Sequence, residues 1–268
     1  MKRFMLRALS VWTTSLCLLF LAGVNAAAAD KKDVINQARN AYYSLRAQGL
    51  SEFQCDMTPN WDALLADAKK ENPKAAEEAI SMLRQVQFTV SVGSTGSAKV
   101  THNTVAAGND QMAAGLKQIY SGMEQMTTGF FDTWSPFMIA SPFPAAEGDY
   151  ELTDQGGVWN LSYQDGTARV LTTMTKNLVI RETKVNSPQF TSSIRPQFKS
   201  NSQGLLLAGY DADYFGQSPS ETTHLQVGIS YQTVNGFQLP QKLNLAGSYG
   251  GTSFQVEVAF SGCRTSPR

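Results

Sequence analysis

Apolar residues keep helical spacing through much of the first half of this chain and alternate with polar residues through most of the second. From Asp33 to Gln48 the set Val34, Ile35, Ala38, Ala41, Tyr42 and Leu45 falls on one helical face, which predicts a helix ended by Gly49. Phe53 to Cys55 reads as extended. Asn60 is placed to cap a helix carrying Trp61, Leu64, Leu65 and Ala68, and Asn72 followed by Pro73 opens another carrying Ala76, Ala79, Ile80 and Leu83. Val86, Phe88, Val90 and Val92 then switch to period two. With the Gly93 to Gly96 turn and Ala98 to Val105 they predict a hairpin.

The segment from Asp110 to Phe137 carries the strongest helical signal. Met112, Leu116, Ile119, Met123, Met126, Phe130 and Trp134 recur three or four positions apart, as one face of a long amphipathic helix ended by Pro136. Gly115, Gly122 and Gly129 fall seven apart, although each costs a helix interior about 1 kcal/mol relative to alanine. A cost repeated at fixed spacing points to close approach of another backbone. The helix reads either as a buried core helix or as one lining or plugging an apolar cavity, where flexible Met side chains repack around a guest. In the second reading these seven apolar residues are the ligand-cavity candidates. Phe137, Met138, Ile139 and Phe143, interrupted by Pro136, Pro142 and Pro144, are candidates for a lid over the cavity mouth.

From Asp149 onward the pattern is antiparallel strands. Val158 to Tyr163, Ala168 to Met174, Leu178 to Val185, Phe190 to Lys199, Gly204 to Phe215, His224 to Val234, Phe237 to Ala246 and Ser253 to Ser261 are separated by turn signals such as Asp165-Gly166, Asn235-Gly236 and Gly250-Gly251. Pro240 falls inside a strand, where it marks an edge or a bulge. The predicted fold class is α+β: a curved antiparallel sheet, a half-barrel of about eight to eleven strands, wrapped around or covered by N-terminal and central helices.

The alternating strand Leu225, Val227, Ile229, Tyr231, the turn and strand Asn235-Gly236-Phe237-Gln238-Leu239-Pro240, and the last strand Phe254, Val256, Val258, Phe260 together resemble the LolA/LolB-like half-barrel proteins of the bacterial envelope. The resemblance covers the C-terminal part of the chain. It implies a curved sheet that wraps helices and holds an acyl chain or another apolar guest. The chain departs from the lipoprotein carriers of that family in setting most helices ahead of the strands and in its Met-rich helix, and no ligand-binding residue of the family is placed by a motif.

Composition and charge narrow the function. Lys2, Arg3 and Arg7 precede the apolar run Leu16 to Leu21, and Ala26 to Ala29 offer cleavage sites, which together predict a secretory signal over residues 1–28 and one domain over 29–268. Cys17 follows Thr14, Ser15 and Leu16, which is no lipobox. The remaining chain has 19 basic against 22 acidic residues, a net charge of −3, which argues against nucleic acid. The expected location is periplasmic or secreted, and after cleavage nothing reads as a membrane anchor. Cys55 and Cys263 are then the only cysteines, predicted to pair as a disulfide, with two buried free thiols as the alternative.

Chemistry-bearing motifs are few. No G-x-S-x-G, H-E-x-x-H, C-x-x-C or P-loop pattern occurs, and nothing calls for a cofactor or a metal. His102 and His224 read as strand residues. Asp211 and Asp213 with Gly216 form only a fragment of a calcium loop, and Glu147, Asp149, Glu151 and Asp154 read as solvated acids at a strand entry. The leading expectation is a non-enzymatic exported protein that binds or carries a lipid, a lipoprotein or another apolar molecule. A structural or assembly component of the envelope that meets another protein, and a hydrolase without a recognisable motif, stay open behind it.

Overall fold

The computed structural model describes residues 30–216 and 222–267, so the segment expected to direct export lies outside them. The elements follow in the order α1 (Lys31–Ala41), β1 (Leu50–Pro59), α2 (Trp61–Leu64), α3 (Ala66–Glu71), α4 (Pro73–Leu83), β2 (Phe88–Gly93), β3 (Ala98–His102), α5 (Asp110–Met138), β4 (Tyr150–Asp154), β5 (Val158–Asp165), β6 (Ala168–Thr175), β7 (Ile180–Asn186), β8 (Thr191–Asn201), β9 (Gly204–Phe215), β10 (Thr223–Val234), β11 (Phe237–Tyr249) and β12 (Thr252–Pro267).

All these strands join one curved antiparallel sheet in the order β3-β2-β1-β12-β11-β10-β9-β8-β7-β6-β5-β4, open at β3 and β4. The fold is α+β, with twelve strands where the sequence pattern predicts about eight to eleven. Two strands account for the difference. The short extended stretch around Phe53 grows into the ten-residue β1, which inserts between β2 and β12, and β4 precedes the first delimited strand. From β4 to β12 the strands are sequence neighbours, a continuous meander.

Four short-range signals have their expected structural effect. Asn60 Oδ1 accepts from Ala63 N at 3.2 Å and Asn72 Oδ1 from Ala75 N at 3.2 Å, each filling one of the donors a helix start leaves free. Asn235 and Gly236 both take positive φ, +51° and +86°, as the tight β10–β11 hairpin requires. Tyr231 pairs with Pro240 while Ser230 pairs with Lys242, so Gln241 is the extra residue of a bulge beside the proline.

Helix ends differ from the periodicity because tertiary hydrogen bonds override it. α1 stops at Ala41 instead of Gln48: Tyr42 turns extended and bridges Leu205, and Tyr43 N donates to Leu205 O at 3.0 Å. The Tyr42 hydroxyl donates to Leu178 O and accepts from Ile180 N, pinning this exit to the start of β7. Gly49, at φ +91°, closes the following turn and not the helix. α5 passes through Pro136 to Met138. The missing proline N–H forfeits only a bond to the Asp132 carbonyl, and the burial of Phe137 and Met138 holds the last turn in place.

Backbones come close where β9, β10 and β11 meet. A Cβ at Gly209 would lie 2.3 Å from Val227 O, and one at Gly247 would lie 2.1 Å from His224 O. Only glycine lets these neighbouring backbones come so close. The first and last strands are joined covalently: Cys55 of β1 and Cys263 of β12 form a disulfide with a Cα–Cα distance of 4.1 Å, beside the register shift between Gln54 and Asp56. The bond closes a loop over a sequence separation of 208, for which chain entropy gives about 5 kcal/mol before strain and residual structure are discounted. The double variant C55A/C263A should lose about 2–5 kcal/mol in urea unfolding and keep its sheet content by circular dichroism. An unchanged midpoint would mean that the β1–β12 pairing holds without the bond.

Candidate functional site

The register turns strict alternation into rows of inward side chains that cross many strands. One row runs Tyr163, Val170, Val185, Ser192, Tyr214, Thr223 and Tyr249, each directly opposite the next from β5 to β11. A second runs Thr172, Thr183, Ile194, Ala212 and Leu225 to Gly247 and Phe254. A third takes Tyr210, Val227, Leu245 and Val256. Between these rows and α5 lies a cavity of about 1070 Å³, to which Leu64 of α2 adds one wall residue.

α5 separates this cavity from the packed core. On one side Thr127 touches Met57 Sδ at 3.2 Å, Phe131 meets Phe53 and Phe260 edge to face, and Trp134 lies against Phe53 with its indole N–H donating to Tyr231 Oη at 3.0 Å. On the other side Ile119, Met123, Met126 and Phe130 face the cavity, with Gly122, Gly129 and Thr133 among them. The C-terminal half is fixed at several points. Thr133 and Tyr214 hydroxyls lie 2.8 Å apart, and Ser135 Oγ donates to Gly96 O at 2.8 Å.

The seven cavity candidates on α5 therefore divide. Ile119, Met123, Met126 and Phe130 wall the cavity, whereas Leu116 and Trp134 are buried outside its lining and Met112 is half-buried at the N-terminal turn. The glycine spacing has a different cause from the one the sequence suggests. No second backbone approaches: a Cβ at Gly115, Gly122 or Gly129 would meet nothing within 4 Å, and Gly122 and Gly129 border the open cavity. Their missing side chains leave the cavity open and do not admit a partner strand or helix.

Of the lid candidates, Phe137 lines the cavity, while Met138, Ile139 and Phe143 are buried in the core. The backbone of this segment is tied to the stretch after α1. Leu45 N donates to Met138 O, Arg46 N to Ile139 O, and the Arg39 guanidinium to Phe143 O and Pro144 O at 2.7 and 2.8 Å. At the opposite end Phe190 and Tyr249 line the cavity and are exposed, and Phe215 is exposed nearby on β9. This end carries the β5–β6, β7–β8 and β11–β12 turns.

The wall carries little charge. Burial raises the Tyr163 phenol to about 12 and also lifts those of Tyr210 and Tyr214, so these hydroxyls stay neutral donors. Among the described residues Asp132 and Asp165 are the charged lining residues, and partial desolvation raises the Asp132 carboxyl above the usual carboxylate range. The alternation that aims Val170, Val185 and Ile194 inward sends Arg169, Lys184 and Arg195 to the opposite face. There Asp213 accepts from Arg195 at 2.8 Å and lies 2.7 Å from His224 Nδ1, which holds its carboxyl below the usual range.

Among the described residues no group of three or more His, Cys, Asp or Glu side chains is arranged to hold a metal, and no helix is long and apolar enough to cross a membrane. Asp211 contacts Gln197, and Asp154 pairs with Lys176 at 2.5 Å. No family model, curated protein or solved structure matches this chain.

Three substitutions on α5 separate wall from core. Trp134→Ala should cost about 3–5 kcal/mol, whereas Met126→Ala, at a half-buried wall position, should cost under about 1 kcal/mol. Gly122→Leu should be neutral or gain up to about 1 kcal/mol, because it removes a helix-interior glycine and meets open space. Thermal and urea unfolding of the three variants give the comparison. A Gly122→Leu chain that fails to fold would place a packed neighbour where the cavity is drawn.

Proposed function

We propose that this protein is an exported, non-enzymatic carrier or binding protein for a lipid, a lipoprotein acyl chain or another apolar molecule, in the manner of the LolA/LolB-like half-barrel proteins. The observation that carries the reading is the cavity between α5 and the inner rows of β5 to β12, about 1070 Å³ in volume and walled chiefly by aliphatic and aromatic side chains. A volume at the upper end of small-molecule sites suits a long flexible guest. Met123 and Met126, unbranched and soft, adapt to different chain shapes. Export is supported by the basic and apolar N-terminal segment and by the Cys55–Cys263 bond, which persists in an oxidising compartment.

The exposed aromatics Phe190, Phe215 and Tyr249 favour a second reading, in which this end of the sheet meets another envelope protein. Native mass spectrometry of the full chain, purified gently from an exporting host, discriminates the two. A retained adduct of lipid size, displaced by the neutral fluorophore N-phenyl-1-naphthylamine with micromolar affinity, is the expected result. The Gly122→Leu/Gly129→Leu variant should bind that fluorophore at least about tenfold more weakly while staying folded. A stable protein complex with an empty cavity would instead favour the assembly role.

A further inference from the structure

The cavity is apolar but not electrostatically neutral. Among the described residues two carboxyls line it, Asp132 on α5 and Asp165 at the end of β5, from opposite walls, and neither forms an ion pair there. Among the described residues no Lys, Arg or His lines the cavity. This follows from the pleat: Arg169, Lys184 and Arg195 sit at alternate positions from the inward residues of β6, β7 and β8, and Arg195 is engaged on the far face by Asp213. On α5 the lone cation, Lys117, is exposed and outside the lining. The remaining polar groups of the described lining are neutral hydroxyls and amides, among them Gln125, Thr133, Tyr163 and Tyr214.

An amphiphile that buries its chain here must leave its polar end against this set of groups. A carboxylate, phosphate or sulfate would meet two like charges with no counter-cation among the described lining residues. An alkylammonium would be attracted, and an uncharged alcohol or amide would find hydroxyl partners. We infer that the cavity selects guests whose polar end is cationic or neutral and discriminates against anionic amphiphiles, a conclusion that rests on the carrier reading above and names its ligand class.

The test is displacement of N-phenyl-1-naphthylamine from the full chain by three probes of equal chain length: dodecanol, dodecyltrimethylammonium and dodecanoate. The two ionic probes are kept below their micelle concentrations and dodecanol below its solubility, at low ionic strength and about pH 8, where carboxyls are ionised. The ammonium and the alcohol should both displace the fluorophore, and dodecanoate should be weaker than either by at least about tenfold. In the Asp132→Asn/Asp165→Asn variant, which changes two exposed positions and should fold normally, the ammonium-to-carboxylate preference should shrink by about tenfold. Dodecanoate binding as tightly as dodecanol, or a preference unchanged in the double variant, would overturn the inference and leave the carrier reading standing. Failure of all three probes to displace or bind would overturn the carrier reading itself, and the inference with it.

Discussion

A twelve-stranded sheet open at both edges leaves a curved inner face that one long helix, α5, covers only in part, and this incomplete cover is the constraint from which the remaining features follow. The helix is anchored where its C-terminal half meets Phe53, Tyr214, Tyr231 and Gly96, through aromatic packing and three side-chain hydrogen bonds. Its other face could have been filled by large side chains. Glycines at 122 and 129 instead leave the gap between Met123, Met126 and Phe130 and the inner rows of the sheet. A helix that gives up intrinsic propensity to keep volume open is consistent with a site, since a purely structural helix would gain stability by closing it.

The same constraint explains the covalent and backbone devices at the two ends of the chain. β1 arrives early in the sequence and β12 last, so their pairing closes the longest loop of the fold, and the Cys55–Cys263 bond secures that pairing. Gly209 and Gly247 let the backbones of β9, β10 and β11 approach closely, and Tyr210, Leu225 and Leu245 of these strands face the cavity. The tie from Arg39, Leu45 and Arg46 to the Met138–Pro144 segment then locks the end of α5 to the exit of α1.

Much of this fold is legible in local chemistry. The caps at Asn60 and Asn72, the Asn235-Gly236 turn and the bulge beside Pro240 depend on residues within a few positions of one another. What depends on distant partners is not legible in this way. α1 ends early because Tyr42 and Tyr43 find Leu205, and β1 gains its length from β2 and β12; no periodicity around Gln48 or Phe53 reports either partner. The glycine spacing was visible, but whether it admits a backbone or an open volume is decided by what lies across from it. Half the cavity wall was legible only as alternation: Tyr163, Val170, Val185 and Ser192 sit at period-two positions, and pairing register alone turns them into one row with Tyr214.

The central claim is that a guest occupies the space between α5 and the inner rows. The methionines provide native reporters of it: Met123 and Met126 line the cavity, whereas Met57, Met138 and Met174 are buried in the core and absent from the lining. With methyl-labelled methionine and a titration of dodecanol followed by NMR, the account predicts saturable shifts of the Met123 and Met126 methyl resonances while those of Met57, Met138 and Met174 stay nearly still. Unmoved Met123 and Met126 signals, or shifts spread equally over the core methionines, would contradict it.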